Sequence, residues 1–217
     1  MGADIYKTGI VEASGENIGA NLLTNTHEFI TTSGGQGLTT DRWNGFIIRH
    51  LAPRTGTSYR EVCAYNGFIP VVSGGSYTQS FWAKGTGYLT VHFYSGNIAC
   101  ATNKSSTGVN NTATDGNTAI YLTSEWVRYW VTHTLKTSSD TPANKNILLR
   151  LWDNDGANEV YVCGWKCEVG SIATSWCMNP NDAGYVGNHH GLIERSGVAI
   201  PASFYTNHIE TNEFIEY

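Results

Sequence analysis

The chain has 217 residues, 41% of them hydrophobic and only 14% charged, with 24 glycines and 5 prolines. A chain of that length is enough for one medium domain, or a domain with an appendage, burying about 70% of its unfolded surface, and the composition excludes the disordered, collagen-like and coiled-coil classes. A net charge of −5 with scattered basic residues leaves no electrostatic footprint for nucleic acid, and no apolar run approaches the ~20 residues of a membrane span, so membrane insertion is not expected either.

The first residues, Met1 to Lys7, lack the basic and apolar regions of a secretory signal, so the expectation is synthesis in a cytoplasm unless a signal has been removed. Residues 1–18 read as an N-terminal arm, 19–178 as a β-sandwich, 179–201 as a Gly-, Asn- and His-rich linker and 202–217 as a C-terminal arm. Within the sandwich, helical periodicity is hard to find. Short alternating segments bounded by Gly, Asn, Asp and Ser predict strands at 45–50, 60–66, 76–84, 88–94, 118–122, 125–135, 146–152 and 159–168. That is the strand count of a jelly roll, so the expected fold class is all-β: a jelly-roll β-sandwich with short terminal β-arms. Residues 101–117 and 136–145 read as long loops.

Residues 147–152 and 159–163 read as the two strands of a hairpin across Asp153-Asn154-Asp155-Gly156-Ala157-Asn158. Its Asp-x-Asp-Gly core matches the start of a calcium loop, but the later ligands are missing and a turn accounts for it. The odd set Cys63, Cys100, Cys163, Cys167 and Cys177 contains no Cys-x-x-Cys, which argues against a disulfide framework or a zinc site. On an extended strand Cys163, Trp165 and Cys167 would share one face as small or large apolar groups. His189-His190 is half a metal site at most, and because adjacent residues of an extended segment point to opposite sides, a solvated linker or subunit contact is the favoured reading.

The two ends resemble each other: Ala3-Asp4-Ile5-Tyr6 through Ile10 aligns with Ala202-Ser203-Phe204-Tyr205 through Ile209. Too short to form a core and too apolar to float, these ends predict docking through Tyr6, Ile10, Phe204, Tyr205, Ile209 and Phe214 onto neighbouring subunits. The expected self-association is a homotrimer, with a dimer next.

Asn21-Leu22-Leu23-Thr24-Asn25-Thr26, then Tyr77-Thr78-Gln79-Ser80-Phe81-Trp82-Ala83-Lys84-Gly85, then Trp126-Val127-Arg128-Tyr129, then the run from Val160 to Trp176 follow one another in an order that resembles phage tail and fibre proteins carrying a jelly roll of the carbohydrate-binding-module type. The resemblance covers about residues 19–182, and the Phe204 to Glu216 stretch resembles the termini of phage structural proteins. It implies a virion component (fibre, decoration or tail) assembled in the host bacterial cytoplasm beside other virion proteins. No fixed sugar-contacting residue carries over from these modules. A non-catalytic carbohydrate-binding module of a cellular protein, and a purely architectural decoration protein, remain alternatives. No cofactor is implied; a structural calcium is common in such folds, but no complete ligand set is visible.

No Gly-x-Ser-x-Gly, His-Glu-x-x-His or phosphate-binding loop is present, and the expectation is that the chain is not an enzyme. A binding surface is better supported. Alternation sets Tyr88, Thr90, His92 and Tyr94 against Leu89, Val91 and Phe93; Trp126, Arg128, Trp130 and Thr132 against Val127, Tyr129, Val131 and Leu135; and Leu148, Arg150 and Trp152 against Ile147, Leu149 and Leu151. Sugars lay apolar C–H patches on aromatic rings and bond their hydroxyls to Arg, His and Asn. The candidate glycan face is therefore Tyr88, His92, Tyr94, Arg128, Trp130 and Trp152, although for Trp126, Trp130 and Trp152 taken singly core or interface packing is the favoured reading. Trp82, Trp165 and Trp176 read as framework packing.

Overall fold

The computed structural model describes residues 19–26, 37–55, 60–69, 71–94, 100–108, 117–137, 146–153 and 156–182. The expected docking residues Tyr6, Ile10, Phe204, Tyr205, Ile209 and Phe214, with His189-His190, lie outside them. Among the described residues the chain forms strands β1 Leu38–Trp43, β2 Phe46–Leu51, β3 Arg60–Phe68, β4 Ser76–Gly85, β5 Tyr88–Tyr94, β6 Cys100–Ser105, β7 Thr118–Tyr121, β8 Val127–Leu135, β9 Asn146–Asp153 and β10 Val160–Val169. They make two antiparallel sheets, a six-stranded one ordered β1-β2-β10-β4-β8-β6 and a four-stranded one ordered β3-β9-β5-β7. After the β1–β2 hairpin the chain switches sheets at every step from β2 to β10, the order of a jelly roll.

Every predicted strand is present, and β1 and β6 were not foreseen. β6 opens the segment expected as a loop at 101–117 and pairs with β8, from Cys100 opposite Leu135 to Ser105 opposite Val131. β1 turns into β2 through Asn44 and Gly45, whose φ of 48° and 86° are those of a primed hairpin turn. The expected hairpin across residues 153–158 is not one. β9 pairs with β3 and β5 while β10 pairs with β2 and β4, so the connection crosses from one sheet to the other. Two alternating segments joined by a turn look alike in sequence whether they pair side by side or stack face to face.

β10 also departs from plain alternation. Cys163 is level with Trp82 and Lys166 with Ser80, so Gly164 and Trp165 together oppose Phe81. Gly164 takes the bulge with φ +58°, and a Cβ there would lie 2.8 Å from the Trp82 ring. The bulge puts Cys163 on the outer face with Trp82, and Trp165 and Cys167 on the inner face with Gln79, instead of all three together. All five cysteines are free and buried.

Between the sheets lie Leu89, Val91, Phe93, Leu149, Leu151, Tyr129, Val131, Leu135, Val160 and Val162, as alternation requires. One polar chain runs through this core. Trp165 Nε1 donates to Gln79 Oε1 at 3.2 Å, Gln79 Nε2 donates to His133 Nε2 at 3.0 Å and to the His92 carbonyl at 3.1 Å, and His133 Nδ1 donates to Asn103 Oδ1 at 2.8 Å. The outer face of the larger sheet is crossed by a strap, residues 170–182. Thr78 donates to the Gly170 carbonyl and Lys166 to the Ser175 carbonyl, and Trp176 packs edge-on against Phe46. The sandwich's contacts continue through Asp182, which accepts from the backbone of Asn25 at 2.7 Å.

Candidate functional site

Four of the six expected ligand residues belong to the four-stranded sheet. The core takes Leu89, Val91 and Phe93 of β5 and Leu149 and Leu151 of β9, so the intervening positions face outward. Cross-strand register then lays out rows. Tyr88 stands opposite Tyr121; Glu61, Trp152 and Thr90 form the next row; Ala64, Arg150 and His92 the one after; and Tyr94 ends β5 opposite Leu148. From the Tyr88 row to the His92 row the face runs roughly 14 Å at ~3.4 Å per residue.

The middle of this surface is built around Trp152. Its ring stacks on His92 with centroids 4.9 Å apart and planes 26° apart, and the Arg150 guanidinium lies 5.8 Å from its centroid. Arg150 Nε is held 3.4 Å from Glu61 Oε2, so the cation is oriented by a carboxylate one strand away. His92 is itself buried beneath this arrangement and acts as a support for the indole. Toward the sheet's end, Tyr88 and Tyr121 approach to 5.8 Å, and Tyr121 keeps 60% of its surface exposed. The result is two tyrosines and a tryptophan on one face, with a carboxylate and a guanidinium beside them: stacking surface, acceptors and donors for a polyhydroxylated ligand.

Arg128 and Trp130 do not join this face. They sit on β8, opposite Trp82 and Ser80, on the outer side of the six-stranded sheet. Arg128 donates to Ser80 Oγ at 3.2 Å and to the Thr174 carbonyl, and lies 5.0 Å over Trp82, so it anchors the strap. Trp130 is half-buried; its carbonyl accepts from the Ser106 backbone and its backbone N–H donates to the Ser106 hydroxyl. Alternation sorted β5, β8 and β9 correctly, but parity along one strand says nothing about which sheet the strand joins. Tyr121, Arg150 and Glu61 were absent from the expected set. Arg150 was visible in the alternation of its strand, whereas Tyr121 and Glu61 reach the site only through pairing. Trp82, Trp165 and Trp176 are buried, as framework residues should be.

No protein-family model and no curated protein sequence matches the chain. Among solved structures it is similar to the tripod from the baseplate of bacteriophage Tuc2009, at 18% identity and a TM-score of 0.39, covering 75% of this chain and 59% of that one. It is also similar to a family 16 carbohydrate-binding module, at 13% identity and a TM-score of 0.42, covering 68% of this chain and 99% of that one. A third is the CBM22-1 xylan-binding domain from Paenibacillus barcinonensis Xyn10C, at 16% identity and a TM-score of 0.40, covering 72% of this chain and 99% of that one. The jelly-roll assignment itself rests on the strand order of the two sheets.

Proposed function

We propose that this chain is a non-catalytic glycan-binding module of a phage particle, with the outer face of the four-stranded sheet as its platform. The observation that carries the binding reading is the placement of Tyr121, Tyr88 and Trp152 on one face of the sheet beside the Arg150 and Glu61 pair. Non-catalysis is supported by the supply of carboxylates. Glycoside hydrolysis normally needs two carboxyl groups flanking one bond, and among the described side chains Glu61 alone supplies one on this face. The virion assignment is supported by the order of sequence motifs between residues 19 and 182 and by the repeated terminal segments. A few stacking and hydrogen-bond contacts correspond to a millimolar dissociation constant, about −4 kcal/mol, and many copies on one particle would add roughly 10² to 10⁴ in avidity.

The test is a glycan array probed with the full chain, followed by Tyr121→Ala and Trp152→Ala with thermal unfolding measured on the same samples. Each variant should weaken binding about ten-fold, ~1.4 kcal/mol, and Tyr121→Ala should leave the melting temperature unchanged because its ring is mostly in solvent. Retention of no glycan, or undiminished binding by both variants, would overturn the reading.

A further inference from the structure

The opposite side of the sandwich carries an aromatic surface of its own. The strap covers the middle of the six-stranded sheet and packs Trp176 on Phe46, which stacks in turn on Trp82. Past Trp82, six half-buried side chains from separate parts of the chain converge: Trp43 at the end of β1, His50 on β2, Lys84 on β4, Trp126 just ahead of β8, and Glu159 and Tyr161 at the start of β10. Trp43 and Trp126 stack at 4.8 Å with planes 23° apart. Lys84 Nζ lies 5.5 Å from the centroid of Trp126 and 5.0 Å from that of Tyr161, bridging the two rings. Tyr161 stacks on His50 at 4.1 Å, nearly parallel. Its hydroxyl donates to Glu159 Oε1 at 2.7 Å, and His50 Nε2 lies 3.1 Å from the same oxygen.

Packing alone does not account for this shelf. Framework tryptophans such as Trp165 and Trp176 are closed over completely, whereas these rings stay half-open and their polar neighbours have bonding capacity left. Lys84 Nζ makes no hydrogen bond among the described residues, and both bonds to Glu159 fall on Oε1, leaving Oε2 without one. An ammonium with unused donors and a carboxylate with an unused acceptor, set beside an indole stack, match a hydroxyl-bearing ring that accepts from one group and donates to the other while laying its C–H face on the indoles. The opposite charges of Lys84 and Glu159 cancel, which favours a neutral ring over an acidic one.

We infer that this shelf is a second glycan site, for neutral sugars, on the sheet opposite the first, so that one chain can engage two glycan strands at once. It stands independently of the four-stranded face. The test uses indole proton–nitrogen NMR signals of the full chain, each of the seven tryptophans assigned by its Trp→Phe variant. The probes are cellohexaose, xylohexaose and maltohexaose, with hexagalacturonate as the acidic comparison. At least one neutral hexasaccharide should shift the Trp43 and Trp126 signals in a saturable way. Lys84→Met and Glu159→Gln, which leave the ring stack in place, should each weaken that response about ten-fold without altering the Trp152 signal or the melting temperature. Unshifted Trp43 and Trp126 signals with all three neutral probes, unchanged affinity in both variants, or a stronger response to hexagalacturonate would overturn the proposal. Shifts confined to Trp152 would overturn the shelf and leave the four-stranded face standing; shifts confined to Trp43 and Trp126 would do the reverse.

Discussion

His133 is fixed in one tautomer by neighbours that are themselves fixed. Because Trp165 donates to Gln79 Oε1, the Gln79 amide must present its nitrogen to His133 Nε2, and Nδ1 is left to donate to Asn103. A second proton on the ring would place two donors face to face in a dry core. Burial, reinforced by His92, lowers the His133 pKa from 6.5 to about 3. The unfolded chain takes up this proton near pH 6.5 and the folded chain does not until about pH 3. The associated stability is therefore complete above 6.5 and falls by roughly 1.4 kcal/mol per pH unit across that interval. Denaturant unfolding at pH 7, 5 and 4 should show this slope, and a His133→Gln variant should have lost that part of it. At Gly164, an Ala would have to adopt φ +58° and press on the Trp82 ring. Left-handed backbone alone costs an L-residue about 1–2 kcal/mol, so Gly164→Ala should lower urea-unfolding stability by more than that.

The strap from 170 to 182 is held by an ion pair with no access to water. Lys166 Nζ lies 3.1 Å from Glu168 Oε2, and both side chains are essentially fully buried. Lys166 also donates to Thr174 Oγ1 at 2.8 Å and to the Ser175 carbonyl at 2.7 Å, while Glu168 accepts from the Thr174 backbone at 2.9 Å and from its hydroxyl. Removing one partner strands the other charge in a dry site, so Lys166→Met alone should cost about 3–5 kcal/mol, and adding Glu168→Leu should recover much of that loss. A double-mutant cycle by chemical denaturation measures both. At this scale the strands hidden from sequence were the two edges of the larger sheet: β1, Leu-Thr-Thr-Asp-Arg-Trp, and β6, Cys-Ala-Thr-Asn-Lys-Ser, are polar along most of their length. An edge strand needs few buried residues, so its alternation is faint.

Both ends of the sandwich are tied to each other. Gly19 donates through its backbone to Thr174 Oγ1 and accepts from the Cys177 thiol, Asn179 Nδ2 reaches the Asn21 carbonyl at 2.7 Å, and Asp182 binds the Asn25 backbone. These bonds hold the sandwich together by themselves, and residues 203–217 are expected from the sequence to dock onto neighbouring subunits. Deleting residues 203–217 should leave the melting temperature of the sandwich within a few degrees of the full chain, a shift below about 1 kcal/mol, and convert an oligomer, expected to be a trimer, into monomers by analytical ultracentrifugation. A deletion variant that stays oligomeric would count against the arms as the assembly elements.

Eight of the strands, and which side chains share a face within β5, β8 and β9, were legible in the sequence, because burial on a pleated strand has a period of two that any stretch of residues displays locally. The sequence also marked Trp165 and Trp176 as framework. The tertiary structure decided which sheet each strand joins, and that separated Trp130 and Arg128 from Trp152, brought Tyr121 and Glu61 to its side, and assembled the shelf from residues as far apart in sequence as Trp43 and Tyr161. Those juxtapositions come from pairings between distant strands and from one bulge at Gly164, and side-chain parity along a single strand has the same value whichever neighbour the strand acquires.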